Sequence, residues 1–240
     1  LGGARGGAPP ALAERDVDLL LRALQPPRSR EGDGRLRPRR GQVDPRFCPD
    51  RNPGDRAWLH ERYGVDDRPY VLSLGTLQPR KNYTRLIEAF AEVAADAQLL
   101  IVGGMGWLCE GIFAEAEKHR DRVRMLGFAD DADLPALYRN AALFALPSLY
   151  EGFGLPVLEA MACGTPVVCS DASSLPEVAG DAALMVDPFD VDGLSVAIAR
   201  VLREPDLRGG MVARGLEQAK QFTWERAARQ LLDVLDALHS

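Results

Sequence analysis

The sequence predicts a doubly wound α/β domain with a Rossmann-like parallel sheet, and three observations predict it. From Tyr70 onward short apolar runs alternate with amphipathic stretches. The runs are apolar along their whole length, as strands covered on both faces of a parallel sheet must be. The stretches between them have helical period and are long enough for crossover connections.

Taken in order, the strand-like runs are YVLSLG, LLIVGG, VRMLGF, LFALPS, PVVCS and ALMVD. Between them lie NYTRLIEAFAEVAA, IFAEAEKHR, DLPALYRNA, LPVLEAMAC and a short turn, SLPEVAG. The chain then turns all helical: VDGLSVAIARVLRE, DLRGGMVARGLEQAKQF and TWERAARQLLDVLDAL. Pro205 separates the first two of these helices, and Thr223 is the expected N-cap of the last.

Residues 1–60 read differently. Six arginines, Arg28, Arg30, Arg35, Arg37, Arg39 and Arg40, crowd a Gly- and Pro-broken stretch with no strand or helix period. Two readings stand. One is a disordered basic linker. The other is an out-of-frame remnant of a domain junction: GDGRLR at Gly32–Arg37, shifted by one base, can encode a strand of Val-Thr-Val-Val-Tyr type, as expected before the VDPRF turn at Val43–Phe47. Residues 61–240 form the expected ligand-binding domain.

Composition narrows the function classes. With 46% apolar and 27% charged residues, the chain of 240 residues is long enough to bury a substantial core. A net charge of −6 argues against a nucleic-acid binder. The cysteines Cys48, Cys109, Cys163 and Cys169 have no metal-ligand spacing and read as reduced thiols of a cytoplasmic protein. The three histidines, His60, His119 and His239, are scattered and match no nucleophile or metal pattern. No metal site is expected.

Three stretches converge on a phosphate-and-sugar site. Gly75-Thr76-Leu77-Gln78-Pro79-Arg80-Lys81-Asn82 follows the first strand, and its adjacent cations beside a helix start suit a diphosphate. The second runs from Ser148 to Glu159, after the strand LFALP, where open α/β sheets bind ligands. Gly152 and Gly154 permit close backbone approach, and Pro156 fits a helical first turn whose amides face an anion. Glu151 and Glu159 offer two carboxylate acceptors for hydroxyl pairs. Gly103-Gly104-Met105-Gly106 lacks the full dinucleotide fingerprint and reads as the rim of the same cleft.

Glu151 and Glu159, eight apart and bracketing GFGLPVL, resemble the paired-glutamate signature of retaining glycosyltransferases of the GT-B fold. With GTLQPRKN, VGGMGWL, VRMLGF, EAMACGTPVV and SSLPEVAGDAALMVDP, the chain from Val43 onward is similar to glycosyltransferase family 4, the group 1 transferases, in their mannosyltransferase-like branch.

The resemblance implies the C-terminal, donor-binding half of a GT-B enzyme that transfers a hexose from a nucleotide sugar. Arg80 and Lys81 would bind the donor diphosphate together with the loop at Gly75 and Thr76. Many relatives carry Arg where this chain has Thr76. Glu159 would hold the ribose hydroxyls and Glu151 the donor-sugar hydroxyls. Phe153, Gly154 and Leu155 would present amides to sugar and phosphates, while Gly127 and Phe128 would cover the base. The donor implied by the branch is GDP-mannose, with UDP-sugars open, and no further cofactor is needed. A saccharide or glycolipid acceptor, an N-terminal domain missing from this chain, and a cytoplasmic location peripheral to the inner membrane face are implied in the same way. The alternative is a non-catalytic nucleotide-sugar-binding fragment.

Overall fold

A computed structural model describes residues 43–50 and 52–238. The readings made on residues 1–42 lie outside the described residues. Two units are distinguished, Arg46–Lys220 and a second whose described residues are 43–45 and 221–238.

The larger unit begins with helix α1 (Asp55–Tyr63). No apolar period predicts a helix before residue 60, and the expected boundary at 60/61 falls inside this one. Among its residues only Asp55 and Leu59 are buried, so it has no apolar period to read. What ends it is Gly64, left-handed at φ 65°, whose N–H returns to the His60 carbonyl.

The sheet strands follow as β1 (Tyr70–Leu74), β2 (Gln98–Val102), β3 (Val123–Gly127), β4 (Leu143–Leu146), β5 (Val167–Ser170) and β6 (Ala183–Val186). The connecting helices are α2 (Tyr83–Ala91), α3 (Glu110–Lys118), α4 (Leu134–Asn140), α5 (Leu155–Ala162) and α6 (Leu175–Ala179). Helices α7 (Val191–Arg203) and α8 (Pro205–Lys220) close the unit. SLPEVAG, read as a turn, is therefore helical over α6, with a proline in its first turn.

All strands pair in parallel, in the order β3-β2-β1-β4-β5-β6. The doubly wound expectation is met. Strands β2, β4 and β5 are buried along their whole length, whereas the edge strands β3 and β6 are mostly half-buried. Alternate strand positions face opposite layers. Val71, Leu99, Ile101, Leu143 and Ala145 join one core with residues of α2, α3, α7 and α8, including Leu86, Phe90, Ile112, Ile198 and Met211. On the other face Phe144 meets Tyr138 of α4 edge-on, with ring centres 5.2 Å apart.

This strand order fixes where a ligand can enter. The chain leaves β1 toward β2 and β3, but leaves β4 toward β5 and β6. The loops after β1 and β4 therefore diverge at the carboxyl end of adjacent strands and open a crevice.

In the second unit, α9 (Trp224–Leu238) has Thr223 at its start, whose hydroxyl accepts the Arg226 N–H at 3.1 Å. The expected N-cap is present.

Candidate functional site

The loop after β1 is held from two sides. Gly75 donates its N–H to the Val102 carbonyl (2.9 Å) and Leu77 to that of Gly104 (3.0 Å), so the pairing of β1 with β2 continues past the strand ends. Such close approach requires glycine at 103, where a Cβ would lie 1.9 Å from the Gly75 carbonyl oxygen. The Gly-rich stretch thus serves as the wall of the first loop. A 3₁₀ turn, Pro79–Lys81, then presents the two cations. Asn82 is left-handed at φ 60°, and its side-chain amide donates to the carbonyls of Pro147 (3.0 Å) and Pro188 (2.6 Å). One side chain thereby joins the loops after β1, β4 and β6.

The loop after β4 supplies the counter-charge. Lys81 Nζ donates to Glu151 Oε1 at 2.7 Å, and the Ser148 hydroxyl donates to the same oxygen at 2.7 Å. Arg80 Nη1 donates to Glu151 Oε2 at 3.0 Å and to the Tyr150 carbonyl at 2.9 Å. The Lys81 and Glu151 side chains are only 7% and 8% exposed, so this pair is withdrawn from water; Arg80, at 40%, faces the crevice. Burial pushes the Glu151 carboxyl upward, but hydrogen bonds from Lys81, Ser148 and Arg80 outweigh it and hold the group below its ordinary value. The backbone of Glu151 is clamped as well. Its N–H is donated to the Ser173 hydroxyl (2.9 Å), and its carbonyl accepts from the Ser174 hydroxyl (3.0 Å). Ser173 sits in the left-handed region at φ 53°, a conformation that costs a non-glycine residue on the order of 1 kcal/mol.

Beyond Glu151 the chain turns into α5 through Gly154, at φ 100°, where a Cβ would also press on Leu175 Cδ2 at 2.8 Å. Pro156 occupies the first turn. The end of α5 that carries positive partial charge therefore lies in the loop that also holds Glu151. Glu159 follows on the same helix, half-buried, with Oε2 accepting the Tyr138 hydroxyl at 3.1 Å.

Thus Arg80, Lys81 and Glu151 are brought together in direct contact, and Gly75 makes room for Lys81, since a Cβ there would lie 2.8 Å from Lys81 Cε. Thr76, Gly127, Phe128, Phe153 and Leu155 are solvent-exposed, with Gly127 at φ 72° directly before Phe128. Among the described residues no group of three or more His, Cys, Asp or Glu is placed to hold a metal ion, and no helix is long and apolar enough to cross a membrane. Burial pushes the Cys163 and Cys169 thiols up to about 12, which keeps both protonated.

Residues 56–218 match the family model described as glycosyl transferases group 1. The chain belongs to this family. It is 41% identical over 194 residues to O-antigen chain mannosyltransferase B of Escherichia coli, covering 78% of this chain and 51% of that protein. Against the serotype-specific mannosyltransferase WbdA of Escherichia coli it is 35% identical over 183 residues, covering 73% of this chain and 22% of that one. Sucrose-phosphate synthase from Thermosynechococcus elongatus superposes with a TM-score of 0.70 at 32% identity, over 92% of this chain and 56% of that structure. The chain spans about half the length, or less, of the curated relatives it matches. Covering about half of its structural neighbours agrees with one half of a two-domain GT-B fold.

For a group 1 glycosyltransferase the site has members that the sequence reading passed over. Ser148, Ser173 and Ser174 fix Glu151, Asn82 ties three loops, and Tyr138 holds Glu159. Ser148 and Asn82 lie inside the two charged stretches, and Ser173 and Ser174 open the run SSLPEVAGDAALMVDP. Nothing in the local pattern around Tyr138 marks its hydroxyl, because the tyrosine occupies an ordinary apolar position of α4.

Proposed function

We propose that this chain is the donor-binding part of a retaining hexosyltransferase that takes a nucleotide sugar, with GDP-mannose the favoured donor. The observation that carries the reading is the convergence of Arg80 and Lys81, from the loop after β1, with Glu151, from the loop after β4, beside the start of α5.

The chemistry follows from charge. In sugar transfer the bond to the leaving diphosphate lengthens first, and the transition state resembles an oxocarbenium ion. Stabilising the departing phosphate is the main electrostatic task of the protein. Lys81 and Arg80 supply fixed cations, and the first-turn amides of α5 add a directional field. The Arg80 nitrogens other than Nη1 make no hydrogen bond to a described residue, so they are available to an anion. A carboxylate has about four acceptor positions, and three donors already meet Glu151. Its role is to hold the two cations in place and to offer the remaining position to a hydroxyl of the donor sugar. Glu159 accepts from the ribose, and the exposed Gly127–Phe128 loop covers the base.

Mannose as the sugar is supported by the two mannosyltransferase relatives, and a saccharide or glycolipid acceptor agrees with the O-antigen chain that one of them builds on. That acceptor would be met by a second domain, at the cytoplasmic face of the membrane. A second reading is nucleotide-sugar binding without transfer by these residues alone. Turnover by the chain alone, compared with the chain supplied with the remaining half, separates the two.

The donor reading is tested by thermal unfolding with GDP, UDP and ADP, beside Glu159→Ala. A ligand at a hundred times its Kd stabilises by about 2.7 kcal/mol, which raises Tm by roughly 5–10 °C for a chain of this size. GDP is expected to give the largest rise, and Glu159→Ala to reduce it. No rise with any of the three would sink the reading.

A further inference from the structure

Tyr138 is a fully buried residue at the end of α4 whose only route to polar chemistry runs through its hydroxyl and carbonyl. Its carbonyl accepts the Thr165 hydroxyl at 2.7 Å, which fixes the backbone of α4 to the turn before β5. Its ring is wedged edge-on between Phe47 (centres 5.7 Å apart) and Phe144 (5.2 Å). A phenol held at both ends in this way cannot follow a moving partner. It donates at 3.1 Å to Glu159 Oε2, on the facing helix α5.

We infer that Tyr138 is a positioning residue of Glu159, helping to fix the carboxylate so that it discriminates a ribonucleotide from a deoxyribonucleotide; this rests on the proposed donor site. A glutamate on a helix surface has several accessible rotamers, and each must be frozen when a ligand diol binds. One oxygen held by a rigid buried donor sets the carboxylate plane in advance, so less ordering is left for the ligand. Because a carboxylate only accepts and a phenol here donates, the Tyr138 bond keeps Glu159 an acceptor for ligand hydroxyls. Burial, and then the charge of Glu159, raise the Tyr138 phenol well above its ordinary value, so it stays a donor across the working pH range. The apolar position alone needs no hydroxyl: phenylalanine would fill the same space between Phe47 and Phe144.

The experiment is a binding series on the full chain with GDP or UDP, whichever raises Tm more, and its 2′-deoxy and 3′-deoxy counterparts. Tyr138→Phe keeps the ring and removes the hydroxyl. Leaving the Glu159 side chain to be ordered by the ligand predicts an affinity for the ribonucleotide roughly 2-fold to 10-fold weaker, with less than about 2-fold change for the deoxy analogues. The ribo-to-deoxy ratio therefore shrinks. In a Glu159→Ala background the same substitution should add no further loss. An equal weakening for all three ligands would mean that Tyr138 acts only through packing and would overturn the inference. So would an unchanged ratio, or an undiminished Tyr138→Phe effect without Glu159. If the unaltered chain binds none of the nucleotides, the donor-site reading itself falls, and this inference with it.

Discussion

Basic side chains sit at both ends of the parallel sheet, and the two ends use them differently. At the amino end, Arg122 donates to the carbonyls of Val93 (2.9 Å) and Ala95 (3.0 Å) while its guanidinium lies 4.8 Å from the Phe90 ring centre. Arg203 donates to the Ala94 carbonyl, and Arg208 to those of Val201 and Leu202, beside a cavity of about 400 Å³ lined by Pro69, Ala97 and Ala142. At the carboxyl end, Arg80 and Lys81 instead meet a carboxylate. Carbonyls at loop and helix ends are permanent acceptors, and a cation given to them is spent on the fold. A cation held mainly by a carboxylate can change partners when a stronger anion arrives, and of the two Arg80 is the more exposed, at 40% against 7% for Lys81. The difference teaches which positive charges are structural and which can exchange partners.

The largest expected effect breaks the carboxyl-end arrangement. Glu151→Ala leaves the Lys81 ammonium buried without its counter-charge, and breaking a buried pair in this way costs about 3–5 kcal/mol. Urea unfolding reads that loss. If the cations exchange partners as argued, saturating GDP should restore more stability to the variant than it adds to the unaltered chain. Equal gains in both would mean that the diphosphate does not reach Lys81.

A smaller effect is expected at the other end. Arg122→Ala strips donors from the carbonyls of Val93 and Ala95 and the cation from the Phe90 ring, for a loss of about 2 kcal/mol. Nucleotide affinity, measured by the same titration, should stay within about 2-fold, since the substitution changes stability and leaves the site intact. A large affinity change would mean that the two ends are coupled, contrary to the comparison.

How much of this was legible in the sequence depends on the range of the interaction. Strand runs such as LLIVGG and LFALPS mark β2 and β4 almost to the residue, because burial on both faces leaves an unbroken apolar signature. Pro205 and Thr223 mark helix boundaries for equally local reasons. Helix α1 escaped because burying little more than Leu59 leaves no period to detect. At the site, Arg80, Lys81 and Glu151 were readable as types at plausible places, but their mutual engagement was not. That contact spans some 70 residues and follows from the neighbouring of β1 with β4, which no local pattern encodes. Tyr138 and Glu159 are hidden for the same reason, lying on different helices.

The smallest expected effect sharpens the comparison through pH. The Glu151 carboxyl titrates below its ordinary value in the folded chain because three donors favour its charged form over the cost of burial. A carboxyl with a depressed folded pKa contributes stability that is present above its unfolded value. The contribution is lost as pH falls through the folded value. The unaltered chain should therefore lose stability relative to Glu151→Gln as pH is lowered from about 5 toward about 3, the range in which an ordinary glutamate and a depressed one titrate. Unfolding midpoints of the two proteins across that range give the gap directly. The donors at the amino end meet carbonyls, which do not titrate, so Arg122→Ala should shift the midpoint by the same amount at every pH in the series. A gap between the unaltered chain and Glu151→Gln that stays constant on acidification would mean that the carboxylate is not held by its cations in solution, and the distinction between the two ends of the sheet would fail.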